Sequence, residues 1–181
     1  MRANTEDGYT LIEMLIVVGL LALIAAVAAP AFTGDDEAVL EHAASEVARA
    51  MRFAHSEAIR TDQPYGVIAS TSGQSLKVYR LDESVTPPVP VYEVYDPQAK
   101  QLYDLRFDTG SLEASIDQVY FKFSGFLFPQ TYIGFAAGTG VPKFNDSGTI
   151  RMLENGFIKL SHDGMTRTIA VSPMTARVTV Q

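Results

Sequence analysis

The chain has 181 residues, no cysteine and a formal net charge of -7. The lack of cysteine excludes disulfides, thiolate metal sites and a cysteine nucleophile. An acidic surface also disfavours nonspecific binding to a phosphate backbone. Because 47% of the residues are apolar, the composition suits one anchor segment followed by one globular domain.

The first feature along the chain is an apolar segment from Leu11 to Phe32, in which Glu13 is the only charged residue. As a helix this segment would span roughly 33 Å, about the thickness of one hydrocarbon core. A secretory signal peptide would require a basic region before it, whereas acidic residues outnumber the single Arg2 there. A plain single-pass anchor leaves unexplained a carboxylate that costs about 2–3 kcal/mol in the apolar layer.

A third interpretation explains the carboxylate. The stretch Gly8-Tyr9-Thr10-Leu11-Ile12-Glu13 resembles the processing site of type IV prepilins and pseudopilins. In that family, a dedicated prepilin peptidase cuts after a glycine, and the new first residue is N-methylated. The resemblance implies cleavage after Gly8 and methylation of Tyr9. Glu13 then takes the fifth mature position, where the family keeps a glutamate, and Pro30 takes the position of a helix-bending proline.

The resemblance also implies how such a chain assembles. The family's glutamate pairs with the amino terminus of a neighbouring subunit, so two groups that are costly alone in an apolar core become tolerable together. Glu13 and Pro30 are therefore expected to be assembly residues. The expected location is the bacterial inner membrane, crossed once, with the N-terminus in the cytoplasm and the domain in the periplasm. From there the subunit would be extracted into a periplasm-spanning pseudopilus.

A second helix is predicted over about 36–61. Apolar residues recur there at helical spacing on one face, and charged residues mostly lie away from it. The helix is expected to end near Arg60 or Thr61, with Pro64 beyond it. The apolar face is formed by Leu40, Ala43, Ala44, Val47, Met51, Ala54 and Ala58.

After Pro64 the pattern predicts strands. Their expected ranges are Tyr65–Ser70, Ser75–Leu81, Val91–Tyr95, Leu102–Phe107, Val119–Phe123, Tyr132–Phe135, Thr149–Leu153, Phe157–Ser161, Thr168–Ser172 and Arg177–Val180. Turns are predicted at Thr71–Gln74, Glu154–Gly156 and His162–Gly164, and a loop or irregular edge at Val85–Pro90. Such sheets usually leave one face in water.

These elements predict an α+β fold, with a long N-terminal helix packed on an antiparallel sheet domain. The helix would have a transmembrane half and an amphipathic half. The expected division is a leader over 1–8, a transmembrane and assembly helix over 9–32, and a periplasmic domain over 33–181.

The helix ending Ser56-Glu57-Ala58-Ile59, followed at once by a strand, resembles the GspH/FimT group of minor subunits. The resemblance implies a minor pseudopilin of a type II secretion pseudopilus. The alternative is a minor type IV pilin acting in pilus priming or DNA uptake. The DNA-binding branch carries a basic glycine-arginine motif, and the matching place here reads Ala176-Arg177-Val178-Thr179. Arg177 is thus the candidate DNA contact, although nucleic acid is not an expected partner.

The partners implied by the resemblance are the prepilin peptidase, other pseudopilins or pilins, an inner-membrane assembly platform and inner-membrane lipid. No catalytic constellation, metal site or cofactor site is predicted. His42, His55 and His162 lack metal-ligand spacing, and no lysine follows the glycines of Gly134–Gly140 as a phosphate-binding loop requires. The Asn145-Asp146-Ser147 sequon is interpreted first as a turn. The chain is therefore not expected to be an enzyme.

Overall fold

The computed structural model describes residues 10–28, 35–107, 112–146 and 149–181. It divides the chain into two compact units, Met1–Asp36 and Glu37–Gln181. The first unit contains helix α1, Leu11–Ala28, and helix α2 covers Asp35–Thr61. The strands are β1 Tyr65–Ser70, β2 Ser75–Asp82, β3 Val89–Val91, β4 Asp104–Arg106, β5 Ser115–Phe123, β6 Tyr132–Phe135, β7 Lys143–Asp146, β8 Thr149–His162, β9 Met165–Val171 and β10 Val178–Val180.

Helix α2 forms where the sequence predicts an amphipathic helix. Its apolar face is completely buried, and six of the nine residues on this face are alanines, which favour the helical conformation. The buried residues are Leu40, Ala43, Ala44, Val47, Ala48, Ala50, Met51, Ala54 and Ala58.

Two antiparallel five-stranded sheets complete the domain. The first has the order β3-β2-β1-β6, with β4 also paired to β2, and the second has the order β10-β9-β8-β5, with β7 also paired to β8. The turn predicted at Thr71–Gln74 joins β1 to β2, because Ser70 and Ser75 are paired across it. The predicted α+β class, with a helix packed on antiparallel sheet, is confirmed.

Strand β8 differs from the prediction. The expected turn at Glu154–Gly156 is wrong, since Asn155 pairs with Lys122 and Gly156 pairs with Phe121 inside one continuous strand. The Phe121 ring leaves no room for a side chain at position 156, because a Cβ atom on Gly156 would lie 2.9 Å from it. Asn155-Gly156 therefore lies where β8 passes close to Phe121, beside a shift in the register of β5 and β8. In the sequence alone, this asparagine-glycine pair looks the same as a turn.

Two further differences concern short segments. The strand predicted over Val91–Tyr95 is wrong, because β3 ends at Val91; β3 begins at Val89, within the segment predicted as a loop or irregular edge, and lies at the edge of the first sheet. Strand β7 was not predicted; it includes Asn145 and Asp146, and Ser147 of the turn predicted there lies outside the described residues. Both segments are three or four residues long, so their pairing with longer strands decides their conformation more than their own sequence does.

The core lies between α2 and the sheets. Its largest fully buried side chains are Phe107, Phe121, Phe123, Phe135, Leu40, Met51, Leu76, Ile116, Ile133, Ile158, Leu160 and Ile169. The opposite face of the first sheet is not the polar surface that the sequence suggests. Tyr79 is only 8% exposed there, and its ring lies over Gly66, where a Cβ atom would come within 2.4 Å of it.

Candidate assembly site and domain surfaces

Helix α1 begins with a side-chain cap. The Thr10 hydroxyl accepts a hydrogen bond from the backbone N–H of Glu13 at 3.3 Å, and the Thr10 carbonyl accepts from Glu13 and Met14 at 3.1 and 3.2 Å. A threonine followed three residues later by glutamate is the sequence signature of a capping box. The sequence carries this signal, but the same four residues, Thr10 to Glu13, also belong to the processing motif.

Glu13 lies in the first turn of α1. A carboxylate is stabilised at this end of a helix by the partial positive charge of the exposed N–H groups. Glu13 is exposed, and in the described part of the chain its carboxylate has no hydrogen bond or ion pair. The carboxylate is therefore available to a cation supplied from outside this unit.

The rest of the described surface of α1 is apolar. Large side chains are exposed around the helix, from Leu11 at 84% and Leu15 at 64% to Leu23 at 64% and Ile24 at 62%. A helix that is apolar on every side requires an apolar environment or other helices around it. No helix among the described residues is both long and apolar enough to cross a membrane.

Three of the predicted site residues lie outside the described residues. They are Gly8 and Tyr9, at the expected cleavage site, and Pro30, at the expected bend. Their roles in processing and assembly stay predictions.

Arg177 is exposed, just before β10. It follows Ala176, which has a positive φ of 54°, and its backbone N–H donates to the Thr175 hydroxyl at 3.4 Å. On the next residue, the Val178 carbonyl accepts a hydrogen bond from the Arg52 guanidinium at 3.2 Å. The structure thus brings two arginines to this edge of the second sheet.

A third arginine near these two elements is paired with acidic side chains. Arg167 on β9 pairs with Glu37 at 2.9 Å and with Glu41 at 3.3 Å, both on α2. Its charge is therefore offset by two carboxylates. The predicted DNA contact at Arg177 is not tested by this geometry.

A partly buried ion pair, which was not predicted from the sequence, fixes α2 to the loop between β3 and β4. Asp96 is 5% exposed, and its carboxylate accepts from the Arg49 guanidinium at 2.8 Å. Arg49 also contacts Glu46 at 2.6 Å and lies 5.3 Å from the centre of the Tyr103 ring. The Arg49 hydrogen bond holds the pKa of Asp96 below its usual range. The partners are 47 positions apart in the sequence, so no local pattern indicates this pair.

The histidines do not come together. His55 packs edge-on against Phe135 at 5.6 Å, and burial lowers its pKa. His162 lies with Nδ1 3.0 Å from the Glu113 carbonyl, and His42 is exposed on α2. Within the four described ranges, no group of three or more metal-ligating residues is placed to hold an ion.

The glycines of Gly134–Gly140 serve packing. Gly134 lies in β6, and the loop after this strand donates from the Gly138 N–H to the Ala58 carbonyl near the end of α2 at 3.0 Å. Gly140 has a positive φ of 67° and lies against His55, where a Cβ atom would come within 2.5 Å of Nε2. The loop therefore packs against the end of α2.

A groove lies on the outer face of the first sheet. We call it the tyrosine groove, and it has a volume of about 280 Å³. It is lined by Ile68, Tyr79, Leu81, Pro88, Pro90, Tyr92, Tyr132 and Phe144. Burial raises the pKa of the Tyr79 hydroxyl, which donates to the Ile133 carbonyl at 3.4 Å. The lining contains no charged residue, so the groove suits apolar side chains.

The N-terminal residues 4–29 match the family model of the prokaryotic N-terminal methylation motif. Residues 43–175 match the model of the type II transport protein GspH. The chain belongs to the GspH family. Membership of this family and the methylation motif imply a pilin-like subunit that is processed by prepilin peptidase and assembles with other pilins or pseudopilins. The members of such families are structural subunits.

The fold is similar to those of two solved structures. One is the type IV minor pilin FimU of Pseudomonas aeruginosa, with 14% identity and a TM-score of 0.42, covering 83% of this chain and 92% of FimU. The other is the minor pseudopilin EpsH of the Vibrio cholerae Type 2 Secretion System, with 13% identity and a TM-score of 0.45, covering 78% of this chain and 95% of EpsH. No curated protein sequence matches the chain significantly.

Proposed function

We propose that this GspH-family subunit is a minor pseudopilin of a type II secretion pseudopilus. It is made as a prepilin, cleaved after Gly8, methylated at Tyr9 and assembled through its N-terminal helix, and it catalyses no reaction. The observation that carries the proposal is the geometry of α1, which exposes apolar side chains all round and one carboxylate, Glu13, in its first turn.

The chemistry of assembly follows from that carboxylate. Cleavage after Gly8 creates a new α-amino group at Tyr9, with a pKa near 8 and hence positive at neutral pH. In an apolar filament core, the Glu13 carboxylate of one subunit and this amino group of the next would each be costly alone and tolerable as a pair. Only the register that pairs them avoids an unpaired buried charge, so the pair selects that register.

The proposed location follows from the same helix. Before assembly, α1 and its flanking residues anchor the subunit in lipid of the inner membrane, with the leader in the cytoplasm and the globular domain in the periplasm. The assembly platform of the inner membrane then extracts the subunit into the pseudopilus, where Pro30 bends the helix.

The second candidate function is that of a minor type IV pilin in pilus priming or DNA uptake. The exposure of Arg177, next to the backbone site that Arg52 contacts, favours it. The net charge of -7 and the pairing of Arg167 with two acids weigh against binding to a polyanion.

The decisive experiment compares secreted proteins from the native host with those from a strain carrying Glu13→Ala. For a pseudopilin, specific folded proteins disappear from the medium and accumulate in the periplasm. Normal secretion together with lost pili or lost DNA uptake would assign the chain to a pilus instead. Met14→Ala, on the neighbouring position of α1, is the matched control, because it shortens an apolar side chain and keeps the carboxylate.

Processing is tested on the same protein by mass spectrometry. The mature chain is expected to begin at Tyr9 and to carry one additional methyl group on its amino terminus. Gly8→Val is expected to leave the full-length precursor. A wild-type chain that retains its first eight residues in the host membrane would contradict the proposed processing.

A further inference from the structure

The loop between β5 and β6 carries two strongly exposed apolar side chains. Leu127 is 82% exposed, the highest value among the large apolar residues described in the globular unit, and Phe128 next to it is 70% exposed. We call this pair the apolar tip. Single exposed apolar residues are common on soluble proteins, whereas contiguous ones indicate contact with a protein or with a membrane.

The backbone carbonyls of this loop accept hydrogen bonds from side chains of the same chain. The Lys122 ammonium donates to the carbonyls of Phe126 and Leu127, the latter at 3.2 Å. The Gln130 amide donates to the Phe128 carbonyl at 3.1 Å. A carbonyl without a donor is costly in an apolar layer that holds no water. Because these three carbonyls already have donors, the loop can place its apolar side chains in such a layer.

The sequence around the loop is basic although the chain as a whole is acidic. Between Asp117 and Asp146, the charged residues are Lys122 and Lys143, in a chain whose net charge is -7. The Lys122 ammonium has three N–H donors, and it lies beside the apolar tip through its contact with the Leu127 carbonyl. The tip therefore combines outward apolar side chains with a cation directly behind them.

A second cation is fixed at the base of the same loop. The Arg151 guanidinium lies 4.7 Å from the centre of the Phe126 ring and donates to the Ser124 carbonyl at 3.2 Å. Apolar side chains in front and cations behind match the two layers of an anionic phospholipid surface, in which acyl chains lie beneath phosphate groups.

The size of the apolar tip favours a lipid surface over a protein partner. Each partner of a stable protein–protein interface contributes roughly 800 Å² of surface, far more than two side chains cover. A lipid surface requires no such area when the domain is already tethered to the membrane, since tethering raises the effective concentration of a weak contact.

We propose that the apolar tip inserts Leu127 and Phe128 into the surface of an anionic phospholipid membrane, where the Lys122 ammonium pairs with a lipid phosphate. The contact lies within the unit Glu37–Gln181. It rests on the proposed function in one respect, namely that α1 and its flanking residues anchor the chain in the membrane before assembly. A contact of two side chains is reversible, so the domain is released when the subunit is extracted into a filament.

Tryptophan fluorescence tests this contact, because the chain contains no tryptophan. Full-length Phe128→Trp protein is reconstituted into vesicles of phosphatidylglycerol and phosphatidylcholine whose acyl chains carry bromine. Bromine quenches tryptophan only at short range, so we expect the introduced tryptophan to be quenched and its emission to shift to the blue. The matched control is Met174→Trp, since Met174 is 78% exposed and lies outside the loop. Its tryptophan is expected to stay unquenched.

The role of charge is tested in the Phe128→Trp protein. Lys122→Gln keeps an N–H donor for the loop and removes the charge, so we expect the ratio of inserted to free tip to fall about fivefold, as loss of one cation near an anionic surface predicts. Lys122→Arg, which keeps the charge, is expected to retain the quenching. High salt should act as Lys122→Gln does. Equal quenching in Lys122→Gln and Lys122→Arg would overturn the proposed contact with anionic lipid.

Flotation of the vesicles on a density gradient separates failure of this proposal from failure of the proposed function. Phe128→Trp protein that floats with the vesicles but is quenched no more than Met174→Trp protein overturns the tip contact alone. Protein that does not float overturns the membrane anchoring and the tip contact with it. If the emission shifted to the blue only after a purified pilin-like subunit was added, the tip would be assigned to that protein and the lipid contact rejected.

Discussion

The two units of this chain differ in whether their acidic side chains have partners within the described residues. In α1, Glu13 is the single charged residue between Leu11 and Ala28, and its carboxylate has no partner among the described residues. In the globular unit, Asp96 is nearly completely buried, yet it accepts from Arg49 and from the N–H groups of Gln98 and Ala99. The globular unit satisfies its buried charge internally. Helix α1 exposes its one carboxylate, which is the arrangement that the proposed assembly role requires.

The sharpest test of this contrast compares a core residue with Glu13. Phe121 is completely buried, so Phe121→Ala is expected to lower the free energy of unfolding by about 3–5 kcal/mol. Glu13→Ala is expected to change it by less than about 0.5 kcal/mol, as surface substitutions usually do, while abolishing assembly. Urea unfolding of full-length protein in micelles, followed by circular dichroism, measures both. A large destabilisation by Glu13→Ala would show that Glu13 supports the fold instead.

The same contrast explains what the sequence could predict. The ends of α2 and of β1, β2 and β6 follow from local patterns, because apolar periodicity and turn residues coincide there. Asp96 was not identified, since its partner Arg49 lies 47 residues away and an aspartate followed by proline resembles an ordinary turn. The tyrosine groove was also not predicted. The groove depends on the Tyr79 ring lying over Gly66 on the neighbouring strand. This pairing follows from the strand register, which a single sequence does not reveal.

The site residues divide in the same way. Gly8, Tyr9 and Glu13 could be proposed because a linear motif carries them, and the match of residues 4–29 to the methylation motif supports that motif. The exposed side chains of Leu127 and Phe128 were not identified, because Phe126, Leu127 and Phe128 look alike in the sequence. Only the structure distinguishes them: Phe126 packs on Phe144, whereas the next two residues point outward.

A smaller effect is expected from the buried pair. Asp96→Asn keeps the shape and removes the charge, so we expect a loss of about 2 kcal/mol at pH 7, the value typical of hydrogen bonds to a charged group. Because the folded state lowers the pKa of Asp96, its contribution is present above its unfolded pKa near 3.9 and is lost as the pH falls below that value. The difference between wild type and Asp96→Asn should therefore shrink in acid. Urea midpoints at several pH values measure it.

Glu154→Gln is the matched control for that series. Glu154 is exposed on β8, so its replacement removes one carboxylate without breaking the Arg49 contact. A wild type and an Asp96→Asn variant that differ by the same amount at neutral and acidic pH would contradict the assigned role of the charge.

The smallest effect is expected where α2 meets β9. Arg167 pairs with Glu37 and Glu41, whose side chains are 65% and 58% exposed. Solvent screens such pairs, so Arg167→Ala should cost no more than about 1 kcal/mol, and less at high salt. Thermal unfolding at low and high ionic strength measures this, with Arg177→Ala as the control for losing a cation. If Arg167→Ala were as costly as Asp96→Asn, exposure would not be what separates strong from weak ion pairs in this domain.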